Sequence, residues 1–93
     1  MEFEWDPRKD AANQRKHGIS FREAVTVFQD FRSCTFADED HSVSELRFIT
    51  IGTSASSRVL VVAHTERGDS IRIISCRRAM RRERLFYEEN QSW

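Results

Sequence analysis

The sequence predicts one α+β domain with two N-terminal helices, a four-stranded antiparallel sheet and a C-terminal helix. Up to Asp30, apolar residues recur with the helical period. After Asp30 they alternate with polar residues, as in half-buried strands, and from Ala79 good helix formers return. Because 93 residues can bury only one modest core, we expect a single domain over residues 1–93.

The two N-terminal helices are predicted from their end signals. The first runs from about residue 7 to 17, because Asp6 supplies an N-cap and Gly18 can take a positive φ past the end. The second begins after Ser20, which precedes Glu23 by the spacing of a capping box. Its apolar stripe should pack in the core and consists of Phe21, Ala24, Val25 and Phe28.

Four strands in meander order are predicted over the segments SCTFA, LRFITIGTS, RVLVVAHTE and SIRIISC. Short links join the last three segments, and short links favour antiparallel neighbours because parallel neighbours need long crossovers. Residues 2–5 could add one further short strand. The final helix should place Met80, Arg84 and Tyr87 on one face.

The hairpin between the last two strands can close in two registers. With residues 67–69 as a three-residue loop, His64 faces Arg72 across the ladder. With residues 68–69 as a two-residue loop, Thr65 pairs with Arg72 and His64 points to the opposite face, because a one-residue slip inverts the faces. We favour the three-residue loop.

The faces of the last strand are predicted to be the same in both registers. Alternation puts Arg72 and Cys76 on one face. It puts Ile71, Ile73 and Ser75 on the other, which should meet the two N-terminal helices. One face of this strand is therefore only partly apolar and open to a functional role.

The net charge of zero conceals a division of charge along the chain. Residues 30–46 hold five acidic residues against one arginine, a net charge of −4. Residues 72–84 hold six arginines against one glutamate, a net charge of +5. A polyanion responds to such a local patch, although a run of arginines can also merely solvate a surface.

Targeting and metal signals are missing from the sequence. No apolar run approaches the ~20 residues of a membrane span, and the N-terminus does not read as a signal peptide, so we expect a cytoplasmic protein. Cys34 and Cys76 lack the spacing of a metal site and are expected to be buried free thiols. We expect no cofactor and no metal ion.

The arginines and His64 together suggest RNA chemistry. Arginine offers two parallel donors to a phosphate, and a helix N-terminus after Arg77 and Arg78 would add a favourable dipole. Cleavage of RNA by its own 2′-hydroxyl needs a base, an acid and positive charge, but no metal. His64 is a candidate for either proton transfer; the alternative is a hydrogen-bonded histidine of the fold.

Four segments of the chain resemble the BrnT family of bacterial type II toxins: FEWDPRKDAANQRKHGISFREA, RFITIG, VVAHTERGDSIRIISCRRA and RRERLFYEE. The resemblance implies a RelE-like fold and a ribonuclease that halts translation. It also implies a BrnA-like antitoxin with a ribbon-helix-helix domain, in a complex of two toxins and two antitoxins. Promoter DNA would be bound only through the antitoxin.

Eight residues are the resulting site candidates. The predicted catalytic residues are His64, Arg72 and Arg77, and the predicted RNA-binding residues are Arg47, Arg78, Arg81, Lys16 and His17. For the last two, capping and compensation of a helix dipole are the alternative. We expect Glu83 to order neighbouring arginines rather than act as a base. The second functional hypothesis is a non-catalytic RNA-binding or regulatory-partner module of the same fold.

Overall fold

The computed structural model describes residues 1–89 and has the predicted α+β architecture. The elements are β1 Glu2–Glu4, α1 Pro7–His17, α2 Phe21–Thr26, β2 Cys34–Ala37, β3 Arg47–Thr53, β4 Val59–Arg67, β5 Ser70–Arg78 and α3 Arg81–Glu89. Two short 3₁₀ turns, Val27–Gln29 and Glu39–His41, follow α2 and β2. The single domain over residues 1–93 stays a prediction, because residues 90–93 lie outside the described residues.

The sheet has five strands in the order β1-β5-β4-β3-β2. Four of them form the predicted antiparallel meander. The short strand considered for residues 2–5 is present as β1, which pairs parallel to β5 with Phe3 opposite Ile71. Parallel pairing is possible here because both N-terminal helices and the rest of the meander separate β1 from β5.

The predicted end signals of the N-terminal helices are confirmed. The Asp6 carboxylate accepts a hydrogen bond from the backbone N–H of Arg8 at 2.9 Å, and Gly18 follows α1 with a φ of 69°. The Ser20 hydroxyl accepts from the backbone N–H of Glu23 at 3.1 Å. Of the predicted stripe, Phe21 and Ala24 are buried, and Val25 and Phe28 pack partly buried against the same core.

The β4–β5 hairpin closes in the register that the sequence analysis did not favour. Arg67 pairs with Ser70, so the loop has two residues, and Thr65 pairs with Arg72. The predicted three-residue loop is therefore wrong. The one-residue difference turns His64 to the opposite face of the sheet from Arg72.

A bulge in β5 changes the faces again. The pairing shifts between Ala63 and His64, which leaves Ile74 as an extra residue in β5. Beyond the bulge, Cys76 turns into the core under the helices, whereas Ser75 is exposed on the other face. The predicted faces of Ile71 and Ile73 are confirmed, and those of Cys76 and Ser75 are wrong.

An apolar cluster covers each face of the sheet. The larger one packs the N-terminal helices on the strands and consists of Ile19, Phe21, Ala24, Val27, Leu60, Val62, Ile71, Ile73 and Cys76. The smaller one lies under α3, and its buried residues are Ile51, Val61 and Tyr87. Cys76 is a buried free thiol, as predicted, and Cys34 is free but only half-buried. Within residues 1–89, no helix is long and apolar enough to cross a membrane.

Two close contacts fix the N-terminal segment against the sheet. The buried Asn13 amide donates to the carbonyls of Ile19 and Cys76 at 2.9 and 2.8 Å, and accepts from the Cys76 N–H at 3.1 Å. On β3, a Cβ added to Gly52 would lie 2.9 Å from Cγ1 of Val27. Glycine at this position therefore lets the turn after α2 lie directly on the strand.

Candidate active site

The sheet face that carries α3 holds a groove with a volume of about 750 Å³. Its floor is apolar and is formed by Ile49, Ile51, Val61 and Ala63 of the two central strands. Charged side chains reach it from α3, from the end of β5, from the link 38–46 between β2 and β3, and from the start of β3. This cavity is called the groove below.

Arg77 is held in the groove by a carboxylate. Its two terminal nitrogens donate to the two Glu83 oxygens, each at 2.8 Å, which is the fork geometry that arginine favours with carboxylates. Glu83 also accepts from the backbone N–H of Met80 at 2.8 Å at the start of α3. The hydrogen bond from Arg77 lowers the pKa of Glu83, and the Glu83 carboxylate in turn raises the pKa of Arg77. The sequence predicts that Glu83 orders the arginines beside it on α3, but the arginine that it holds is Arg77 of β5.

Arg47 and Arg82 bring two further guanidinium groups to the groove. Arg47 begins β3 and anchors the preceding segment through its backbone. Its N–H donates to the Ser42 hydroxyl at 3.0 Å, and its carbonyl accepts from the N–H of Asp38 at 2.8 Å. Three arginines face two carboxylates, Asp38 and Glu83, so the lining has a formal net charge of +1 when its histidine is neutral.

His41 is a groove residue to which the sequence analysis gave no role. Its Nδ1 lies 2.9 Å from an Asp38 carboxylate oxygen, and its side chain is 65% exposed. The 3₁₀ turn fixes this pair, because the backbone N–H of His41 donates to the Asp38 carbonyl at 3.2 Å. A carboxylate only accepts hydrogen bonds, so the neutral ring carries its proton on Nδ1 and keeps a lone pair on Nε2.

His64 lies on the opposite face of the sheet, away from the groove. It is 3% exposed and sits between the rings of Phe28 and Phe48, with ring centroids 5.0 and 5.9 Å away. Its Nε2 bonds the Thr50 hydroxyl at 2.8 Å, and its Nδ1 has no partner among the described residues. Burial lowers the pKa of His64 to about 4. The prediction that His64 shares a groove with Arg72 and Arg77 is therefore wrong.

The other predicted site residues are spread around the molecule. Arg72 is on the groove side by register, but it does not line the groove, and its guanidinium lies 3.8 Å from the carboxylate of Glu4 on β1. Arg78 lines a surface hollow beside the start of α3, and Arg81 lines another along α3 that borders the groove. Lys16 and His17 are in the last turn of α1, before Gly18, which agrees with their alternative role at a helix end.

The pattern that could have identified His41 is short. Asp38 and His41 are three positions apart, a spacing that a single helical turn brings together. The surrounding acidic residues conceal this pair, because a run of charge is typical of a solvated loop. Only the folding back of residues 38–47 onto β3 shows that the pair lines the groove.

Comparisons with known proteins agree with this fold. Residues 5–83 match the family model described as the ribonuclease toxin BrnT of type II toxin–antitoxin systems. Among solved structures, the chain is similar to the ribonuclease toxin BrnT of Brucella abortus, with 23% sequence identity and a TM-score of 0.67. The similarity covers 87% of this chain and 99% of that one, and at this identity it supports the fold alone. No curated protein matches the chain.

Proposed function

Because the chain belongs to the BrnT family of ribonuclease toxins of type II toxin–antitoxin systems, we propose that its groove cleaves RNA without a metal ion. One observation carries the proposal: His41 and Arg77 line the same groove, and each is held by a carboxylate. Of the base, the acid and the positive charge that cleavage by a 2′-hydroxyl requires, these two residues supply the base and the charge.

His41 is the proton acceptor in this proposal. Its Nε2 removes the proton of the 2′-hydroxyl while that oxygen forms a bond to phosphorus and the bond from phosphorus to the 5′-oxygen breaks. Asp38 keeps Nδ1 protonated and stabilises the imidazolium that forms, as a carboxylate partner of a general base does. The leaving 5′-oxygen takes a proton from solvent water, so the products are a 2′,3′-cyclic phosphate and a free 5′-hydroxyl end.

Arg77 stabilises the charge that develops on the phosphorane oxygens. Its guanidinium is already oriented by Glu83, so little reorganisation is needed at the moment of reaction. Arg47 and Arg82 line the same groove and bind the neighbouring phosphates. Of the catalytic residues predicted from the sequence, Arg77 keeps its role here, whereas His64 and Arg72 lose theirs because they do not line the groove.

The remaining predicted RNA contacts are secondary in this proposal. Arg78 and Arg81 lie outside the groove and would meet phosphates of a longer strand. Lys16 and His17 lie in the last turn of α1 and make no RNA contact in this proposal. A non-catalytic RNA-binding module of this fold would need the arginines but not the His41–Asp38 pair.

A toxin of a type II system has a cognate antitoxin, and we propose that this one is a BrnA-like, ribbon-helix-helix protein. The complex would contain two toxin and two antitoxin chains, would contact promoter DNA through the antitoxin alone, and would act in the cytoplasm. A cationic groove with Met80 exposed in it and Leu85 exposed beside it suits a partner that brings both acidic and apolar groups.

The His41→Ala variant tests the proposed chemistry. We expect its cleavage of a labelled RNA, measured in excess chelator, to fall on the order of 100-fold or more, while its affinity for an uncleavable 2′-O-methyl RNA changes little. His17→Ala is the matched control, because it removes a histidine that does not line the groove. Cleavage by His41→Ala at the parental rate, or loss of parental cleavage in chelator, would contradict the proposal.

A further inference from the structure

Two exposed aromatic rings stand together in the groove. Phe36 is 44% exposed and Phe86 is 46% exposed, and both line the cavity. Their ring centroids are 6.2 Å apart with an interplanar angle of 81°, an edge-to-face pair. Large apolar side chains left at a surface beside charged groups commonly mark a binding site.

The two rings join the elements that carry the proposed chemistry. Phe36 lies on β2, where it pairs with Ile49 of β3, and it precedes Asp38 by two residues. Phe86 follows Glu83 by three positions and Arg82 by four, so the helical repeat places all three on one side of α3. The ring pair therefore lies between the strand that leads to His41 and the helix that holds Arg77.

We infer that Phe36 and Phe86 form a stacking platform for an unpaired nucleobase, so that the groove takes single-stranded RNA. The inference rests on the proposed function and adds the class of RNA. Sites for single strands combine a cationic groove with aromatic side chains on which bases stack. In a duplex the bases are already paired and stacked, and a ring can reach one only after it has been flipped out.

The charges beside the rings favour RNA over a protein as the occupant. Arg47, Arg77 and Arg82 line the same groove as the rings, and a single strand offers alternating phosphates and bases to such a lining. A single strand uses both kinds of group at once, the arginines for its phosphates and the rings for its bases. Docking of the antitoxin on these rings is the competing outcome of the experiment.

The Phe86→Ala variant tests the platform directly. The probe is a short, mixed-sequence 2′-O-methyl RNA, which lacks the attacking hydroxyl and stays intact, and the readout is the dissociation constant from fluorescence anisotropy. Loss of one base stack should weaken binding by about 5- to 100-fold. Phe86→Trp should restore binding, because the indole also stacks. Phe31→Ala is the matched control: Phe31 is also an exposed phenylalanine but does not line the groove, so binding should not change.

The second part of the experiment measures binding of the same oligomer after it has been annealed to its complement. We expect the parental chain to bind this duplex more weakly than the single strand, and Phe86→Ala to bind the duplex as the parent does. Equal binding of the single strand by parent and Phe86→Ala would overturn the inference. If Phe86→Ala keeps its affinity for the single strand but loses affinity for the antitoxin, the rings belong to the protein interface instead.

This outcome is separate from that of the proposed chemistry. Weak binding by Phe86→Ala with normal cleavage by His41→Ala would leave the platform standing and reject the proton acceptor. Normal binding by Phe86→Ala with inactive His41→Ala would reject the platform and leave the cleavage site standing. The same binding measurement on Phe36→Ala tests the second ring of the pair. The melting temperature of each variant shows whether it is folded.

Discussion

The buried position of His64 makes the stability of the fold depend on pH. Burial disfavours the charged imidazolium and lowers the pKa of His64 from 6.5 to about 4. The unfolded chain has the ordinary pKa, so between these two values it binds more protons than the folded chain. The free energy of unfolding must therefore fall as the pH falls through this window. From the two pKa values, the loss between about pH 7 and about pH 5 is about 2 kcal/mol.

Urea unfolding of the parent and of His64→Phe measures this loss. A phenyl ring suits the site, because Phe28 and Phe48 flank it and Thr50 keeps its hydrogen bond to Thr35. It does not titrate, so the difference in pH dependence between the two proteins isolates His64. Glu23 and Glu83, whose pKa values are lowered by hydrogen bonds from arginines, contribute equally to both proteins and at lower pH.

The expected result is a loss of stability with falling pH that is larger in the parent by about 2 kcal/mol. If both proteins lose the same stability between about pH 7 and about pH 5, His64 titrates normally in the folded chain. It would then have access to solvent, and its burial between Phe28 and Phe48 would be wrong.

Two further predictions concern the groove and the antitoxin. Arg77→Ala should lower the cleavage rate on the order of 100-fold or more, as loss of a preorganised donor does, and Arg77→Lys should restore only part of it because the fork to Glu83 is gone. Parental rates in both variants would remove Arg77 from the chemistry. The complex of the toxin with its antitoxin should have, by light scattering, the mass of two toxin and two antitoxin chains. The mass of a single toxin chain with a single antitoxin chain would reject that stoichiometry.

Local signals in the sequence predicted most of the fold. The caps at Asp6, Ser20 and Gly18 act within a few residues of the chain, so the helix ends could be derived from their neighbours alone. The alternation of apolar residues likewise identified the meander. The parallel pairing of β1 with β5, by contrast, depends on contacts between distant parts of the chain.

The faces of β5 could not be derived in the same way. A two-residue loop and a three-residue loop are both compatible with the sequence around Gly68, and the choice decides which way His64 points. The bulge at Ile74 then turns Cys76 inward, and no turn residue marks it. Packing of the whole strand against the helices selects both features.

The two histidines show why the site was harder to predict than the fold. His64 stands in a strand beside arginines and has the better sequence context, but it is buried between aromatic rings. His41 stands in an acidic link and has the poorer context, but its segment folds back against Arg47 into the groove. Chemistry depends on which residues share a cavity, and sequence proximity does not report this.

The central claim is that His41, and not His64, supplies the proton transfer in the groove. The most direct measurement compares the initial rates at which His41→Ala and His64→Phe cleave one labelled RNA in excess chelator, at a neutral pH where both are folded. We predict that His64→Phe cleaves close to the parental rate and that His41→Ala is slower on the order of 100-fold or more. Cleavage at the parental rate by His41→Ala, together with slow cleavage by a folded His64→Phe, would contradict this claim.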